Sequence, residues 1–188
     1  MIPAKKPATT VNAKLKKIKM VIFDVDGVLA DGRIILDSKG IEYKSFDAHD
    51  GYGIARAREL GMRFAIISGR ASKAVTVRAQ RLKIPDVYQA TLDKVSAYLE
   101  LKEKYGFTDD EVCYMGDDEL DLPLMKRVGV AIAPANAMAP VKKAALFVTK
   151  RSGGRGAVRE ALDRILSAQS RLFPLPTRPI QTEQRRAK

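Results

Sequence analysis

Asp24 and Asp26 are the residues of this chain best suited to chemistry. They follow the apolar run Val21-Ile22-Phe23 and precede Gly27. Positions i and i+2 of an extended chain project to the same side. The two carboxyl groups therefore share one small space where the first strand ends. Like charges that close are costly unless one is protonated or a cation lies between them. Gly27 lets the backbone turn sharply just beyond them, and Asp31-Gly32 follows. An isolated Asp-x-Asp often serves only as a loop cap. Here an apolar strand, an acid pair and a glycine occur together, which points to a site.

Three further groups of residues have the same placement. Ile66-Ile67-Ser68-Gly69-Arg70 is an apolar run that enters a turn. Ser68 offers a hydroxyl, the Gly69 N–H can approach an anion closely, and a following helix would present unpaired N–H groups. The plainer reading is that Ser68 begins a helix cap. Lys94, in Thr91-Leu92-Asp93-Lys94, opens a helix, where a cation opposes the helix dipole. It is either a fixed positive charge or an exposed surface lysine. Tyr114-Met115-Gly116-Asp117-Asp118-Glu119-Leu120-Asp121 sets four acids in five positions directly after an apolar run. Oxygen-only donors of this kind suit Mg²⁺, with Asp117, nearest the strand end, as ligand. Glu119 and Asp121 also suit the first turn of a helix.

These residues need elements to hold them. Strands are expected at 19–23, 63–67, 86–88, 111–115, 129–132 and 146–148, and helices at 52–60, 72–82, 94–105, 119–127, 140–144 and 157–168. Short strands that are apolar on both sides and alternate with helices indicate a parallel sheet covered on both faces. The fold class is α/β, a doubly wound Rossmann-like sheet whose ligands sit at the carboxyl ends of the strands. Residues 33–36 and 41–46, joined by Asp37-Ser38-Lys39-Gly40, read as a β-hairpin. The hairpin follows the first strand directly and is placed to act as a flap over the site.

Composition narrows the classes. The 188 residues suffice for one domain with a real core. No stretch reaches the roughly 20 apolar residues of a membrane span, and the start of the chain lacks the apolar region of a secretory signal. A single cysteine, Cys113, excludes an internal disulfide and sits in an apolar run, as a buried inert thiol does. A cytoplasmic location fits. The formal charge of +12 is concentrated in the tails: six lysines and no acid in residues 1–19, and five basic residues against Glu183 in residues 171–188. Residues 20–170 carry only +2. The expected organisation is a disordered basic arm over 1–17, one domain over 18–170 and a disordered tail over 171–188. Nucleic-acid binding through the tails is the minority reading.

Taken in order, Asp24-Val-Asp26, Ser68, Lys94 and Gly116-Asp117-Asp118 resemble the four motifs of the haloacid dehalogenase superfamily of phosphohydrolases, over about residues 18–168. The chain resembles its cap-lacking branch, and within it the 3-deoxy-D-manno-octulosonate 8-phosphate phosphatase family. That match rests on Asp24–Gly32, Asp50-Gly-Tyr-Gly-Ile54, Ser68-Gly-Arg70, Val87-Tyr-Gln89 and Gly153–Glu160. The resemblance implies that Asp24 is the nucleophile and forms an aspartyl-phosphate, and that Asp26 is the acid and base. It implies Mg²⁺ held by Asp24, the Asp26 backbone carbonyl and Asp117. Ser68, Gly69 and Lys94 would bind the phosphoryl oxygens, with Asp118 and Asp121 orienting Lys94 or metal-bound water. Arg78, His49 and Asp50 are the implied substrate contacts. A carboxylate nucleophile is repelled by a phosphate dianion, and both Mg²⁺ and Lys94 offset that repulsion. The resemblance further implies a role in lipopolysaccharide biosynthesis and a homotetramer packed through the hairpin, with a neighbour closing the site. Gly153-Gly-Arg-Gly156 resembles a stretch that reaches toward a neighbouring subunit, and read plainly it is a flexible joint. Two positions depart from the family pattern: His49 replaces an arginine and Ala90 a glycine. A nine-carbon ulosonate 9-phosphate as substrate and a non-catalytic oligomerisation module are the alternatives.

Overall fold

The computed structural model describes residues 8–172. Six parallel strands form the central sheet: β1 (Met20–Phe23), β4 (Arg63–Ile67), β5 (Asp86–Tyr88), β6 (Val112–Met115), β7 (Val130–Ala133) and β8 (Phe147–Val148), in the order β5-β4-β1-β6-β7-β8. β1 is central, with Phe23 beside Ile66 of β4 and Met115 of β6. All four residues of β1, β6 and β7 are buried, as strands covered on both faces must be. The expected doubly wound α/β fold is the one observed.

Helices α1 (Ala8–Leu15), α2 (Ala48–Glu59), α3 (Lys73–Leu82) and α7 (Ala157–Ala168) cover one face, where Phe23, Ile66 and Met115 meet Ile54, Leu162 and Ile165. On the other face lie α4 (Lys94–Tyr105), α5 (Leu122–Met125) and α6 (Ala139–Ala144), with Ile22, Ile67 and Tyr114 packed on Tyr98, Leu101 and Leu124. The two short strands β2 (Ile35–Leu36) and β3 (Glu42–Tyr43) pair antiparallel as a separate ribbon. The expected hairpin is thus present but shorter, and its turn is fixed by Asp37, which accepts from the N–H groups of Lys39 and Ile41. Its exposed apolar residues include Ile34, Ile35, Leu36, Ile41 and Tyr43.

Several boundaries differ from expectation. Residues 8–15 are helical rather than part of a disordered arm: Val11, Leu15 and Ile18 form a buried stripe at helical spacing, and α1 packs on α7. The lysines of this segment lie around that stripe and obscure it. The rest of the expected arm, residues 1–7, and nearly all of the expected tail lie outside the described residues. Helix α2 starts four residues early because Asp47 caps it, accepting from the N–H groups of His49 and Asp50. The expected helix at 119–127 is a 3₁₀ turn, Glu119–Asp121, followed by one turn of α-helix that carries Pro123 near its start.

Candidate active site

The four motifs converge at the carboxyl edge of the sheet. Asp24 follows β1, Ser68 follows β4 and Asp117 stands two residues beyond β6, while Lys94 is the first residue of α4. Lys94 is no surface residue. It is 5% exposed, and its Nζ donates to Asp24 Oδ1 at 2.7 Å, to Asp121 Oδ1 at 2.5 Å and to the Tyr114 hydroxyl at 3.2 Å. Asp93 caps α4 by accepting from Ser96 N, which places Lys94 in the first turn despite the unfavourable dipole. Burial works against its ammonium, but Asp24 and Asp121 outweigh burial and raise its pKa.

Asp121 is fully committed to this network. Its Oδ1 accepts from Lys94 and, at 2.6 Å, from Tyr114, and its Oδ2 accepts from the N–H groups of Asp117 and Asp118 at 2.8 and 3.1 Å. Gly116 makes this possible, since a Cβ there would lie 2.4 Å from the Asp121 carboxyl carbon. Asp118 caps the 3₁₀ turn through the N–H of Glu119. Of the two expected orienting groups, Asp121 touches Lys94 directly, whereas Asp118 bonds to the turn.

Asp117 is different. Among the described residues no donor hydrogen-bonds to its carboxylate. Burial, then Asp24, Asp121 and Asp118, push its pKa up to about 8. Burial likewise raises Asp24, with Lys94 opposing and Asp121 adding, to about 6. Carboxylate oxygens of Asp24, Asp117 and Asp121 lie within 4.8 Å of one another. With Asp121 satisfied, Asp24 and Asp117 are left as oxygen donors short of positive charge, a set that fits a hard divalent cation. Gly27, at φ +83°, lets the first loop pass over Asp117, since a Cβ there would lie 1.9 Å from Asp117 Oδ2.

Ser68 is 3% exposed, and its Oγ accepts from Arg70 N at 3.3 Å. It does not cap α3, because that helix starts at Lys73 with Ser72 as its N-cap. In front of Gly69, an added Cβ would make only ordinary contact with Leu92. Thr91 N donates to Ser68 O across Ala90, which holds φ +55°. This is the position where the family pattern has glycine, and a Cβ in this conformation costs about 1–2 kcal/mol.

The implied substrate contacts are placed differently. His49 is exposed, with its ring Nδ1 3.2 Å from Asp47 Oδ1. Arg78 lies over the Phe46 ring and donates to Asp47 O at 3.3 Å. Asp50 is buried and accepts from Gly156 N and Arg159 N at 3.2 and 2.7 Å. Its carboxylate holds the start of α7, and burial raises its pKa to about 6.

Sequence reasoning missed Asn136. Its Nδ2 donates to Gly27 O at 2.9 Å and its Oδ1 accepts from Gly153 N at 2.7 Å. Gly154 N donates to Val28 O, and a Cβ at Gly153 would collide with Gly27 O at 1.8 Å. The Gly153–Gly156 segment is therefore not a free joint: its first half is packed on the loop after Asp26. The signal for Asn136 is slight, a single amide after Pro134. Cys113 is buried and its thiol is pushed up by burial alone.

A family model described as haloacid dehalogenase-like hydrolase matches residues 72–162. The 3-deoxy-D-manno-octulosonate 8-phosphate phosphatase KdsC of Escherichia coli K12 is 43% identical over 160 residues, 85% of each chain. The chain belongs to the haloacid dehalogenase-like hydrolases. Among solved structures of this superfamily, the 3-deoxy-D-manno-octulosonate 8-phosphate phosphatase of Yersinia pestis superposes with a TM-score of 0.86 at 41% identity, covering 88% of this chain and 89% of that one. The Moraxella catarrhalis phosphatase, solved with magnesium ion, phosphate ion and KDO, gives 0.86 at 37% identity over 88% and 95%. The residues that resemble the superfamily's four motifs meet at the carboxyl edge of the sheet. No helix among the described residues is long and apolar enough to cross a membrane.

Proposed function

We propose that this chain is a Mg²⁺-dependent phosphatase of a sugar-acid phosphate, 3-deoxy-D-manno-octulosonate 8-phosphate, acting through an aspartyl-phosphate on Asp24. The observation that carries the reading is the buried Asp24–Lys94–Asp121 array beside an Asp117 carboxylate that has no hydrogen-bond donor among the described residues. Asp24 attacks phosphorus, and Asp26, two residues on, supplies the proton to the leaving sugar oxygen. The Asp26 carboxylate then takes a proton from the water that releases phosphate. Lys94 and the Ser68 hydroxyl hold phosphoryl oxygens, with Lys94 steered by Asp121 and Tyr114. Mg²⁺ on Asp24, Asp117 and the Asp26 carbonyl supplies the charge that lets two anions meet. Relatives named for that substrate, at 43% identity, support this choice of sugar phosphate. The exposed apolar hairpin is the surface for packing against other copies of the chain, consistent with a homotetramer.

The test is a panel of sugar phosphates, including nine-carbon ulosonate 9-phosphates, with and without Mg²⁺. The 8-phosphate should be turned over fastest, only with Mg²⁺, and Asp24→Asn should lower the rate by at least about 1000-fold. Phosphate release that survives Asp24→Asn overturns the mechanism. Uniform slow turnover of the whole panel overturns the substrate.

A further inference from the structure

Lys44 lies at the root of the hairpin, 18 residues from Asp26. Its side chain is 2% exposed. The Nζ donates to Asp26 Oδ1 at 2.5 Å and to Glu42 Oε1 at 2.8 Å. Glu42 Oε2 in turn accepts from Arg70, at 3.4 Å, in the loop that carries Ser68. The backbone ties the same region together, because Ala30 bridges to Asp26 on one side and to Phe46 on the other. A buried lysine joined to two carboxylates is fixed in place. It reaches the one acid of the first motif that Lys94 does not touch.

We propose that Lys44 is a positioning residue for proton transfer by Asp26, holding one carboxylate oxygen so that the other faces the leaving group. This rests on the phosphoryl-transfer reading above. In the first step Asp24 attacks phosphorus, and the phosphorus–sugar oxygen bond breaks with its electron pair on the sugar oxygen. That oxygen takes the proton from Asp26 Oδ2. In the second step water attacks the aspartyl-phosphate, Asp26 takes one of its protons, and the Asp24 carboxylate departs. Lys44 stays on Oδ1 throughout. Its charge offsets that of Asp26 between the two transfers, and its grip fixes the carboxyl rotamer. The hairpin therefore contributes a catalytic alignment, besides whatever it packs against.

The test compares leaving groups. An alkyl phosphate needs a proton on its leaving oxygen, whereas p-nitrophenyl phosphate leaves as a stable anion. General acid–base assistance is worth about 10²–10⁴-fold. Lys44→Met should lower kcat on the sugar phosphate by roughly 10–100-fold, part of that range, with KM nearly unchanged. On p-nitrophenyl phosphate it should lose less than about threefold in kcat/KM, which reports only the steps up to departure of the leaving group, because little acid assistance is required there. Lys44→Arg, which retains the charge but moves the donors, should fall between the two on the sugar phosphate and serves as the second variant if Lys44→Met does not fold. Equal losses on both substrates, or a change in KM alone, overturn the proposal. The contrast can be read on any alkyl phosphate that the wild type hydrolyses, so a wrong sugar would not sink it. Failure of the chemistry itself would appear separately, as turnover that survives Asp24→Asn.

Discussion

Strand β6 has an acidic run at each end, and the two runs behave in opposite ways. Before it stand Asp109, Asp110 and Glu111, and after it Asp117, Asp118, Glu119 and Asp121. At the amino end each acid has its own cation: Asp109 meets Lys102 at 2.7 Å, Asp110 meets Lys17 at 2.8 Å and Glu111 meets Lys19 at 2.5 Å. These pairs hold Asp109 and Asp110 below the ordinary carboxylate range and Glu111 at about 2. At the carboxyl end Asp24 and Asp121 share Lys94 under burial, and the half-buried Asp117 has no hydrogen-bond donor to its carboxylate among the described residues. Asp24 and Asp117 are pushed up instead, to about 6 and about 8. The same residue types thus stabilise at one edge and store unmet charge at the other. Composition does not distinguish them; the number of cations per acid and the burial do.

The largest break in this contrast should come at Asp117. Asp117→Asn removes a carboxyl group whose ionisation the fold opposes. Without Mg²⁺ the variant should melt higher than the wild type, by roughly 2–4 °C for about 1 kcal/mol. With Mg²⁺ the wild type should gain stability by mass action, whereas Asp117→Asn should gain almost none and should lose at least about 100-fold in Mg²⁺-dependent phosphate release. Thermal melts of both proteins with chelator and with Mg²⁺ decide it. An undiminished Mg²⁺ shift in the variant would place the cation elsewhere.

Asp50 sharpens the contrast, since it is a buried acid outside the charge cluster. Its folded pKa of about 6 lies above the unfolded value of about 3.9. The folded state therefore holds that proton more tightly. The resulting stability is fully present below about pH 4 and is lost as the pH rises through about 6. Asp50→Asn cannot titrate, so the stability of the wild type minus that of the variant should shrink by about 2–3 kcal/mol between pH 4 and 7. Denaturant melts in chelator at several pH values measure this difference, and a flat line would reassign the carboxylate's environment.

How much of this was legible beforehand depends on the range of the interactions. Helices α4 and α7 and strands β4 and β5 match their expected bounds because caps, periodicity and apolar runs are local signals. Asp24, Ser68, Lys94 and Asp117 were legible for the same reason, since each ends a strand or opens a helix. Helix α1 was not: its apolar stripe is short and gains its meaning from α7. The start of α2 was obscured by Gly51 and Gly53, which local propensity counts against a helix. In the fold they admit Arg78 and Arg159, whose side chains a Cβ would meet at 2.3 and 2.9 Å. Lys44, Tyr114 and Asn136 were illegible because their partners lie 18, 7 and 109 residues away in the chain. A lone lysine, tyrosine or amide carries no pattern that points so far.

Two tyrosines supply the finest test, because they make the same bond at opposite ends of the contrast. Tyr98 donates to Asp109 Oδ1 at 2.5 Å, and Tyr114 donates to Asp121 Oδ1 at 2.6 Å. Asp109 retains Lys102 without its tyrosine. Tyr98→Phe should therefore cost about 1 kcal/mol of stability and leave kcat unchanged. Tyr114 also contacts Lys94, the cation that Asp24 and Asp121 share. Tyr114→Phe should cost a similar amount in stability but also lower kcat by roughly tenfold, because a loosened Lys94 is no longer held where charge develops. Paired melts and initial rates separate the two. If both variants lose only stability, the hydroxyl of Tyr114 is a packing feature like that of Tyr98, and the precision of Lys94 rests on Asp121 alone.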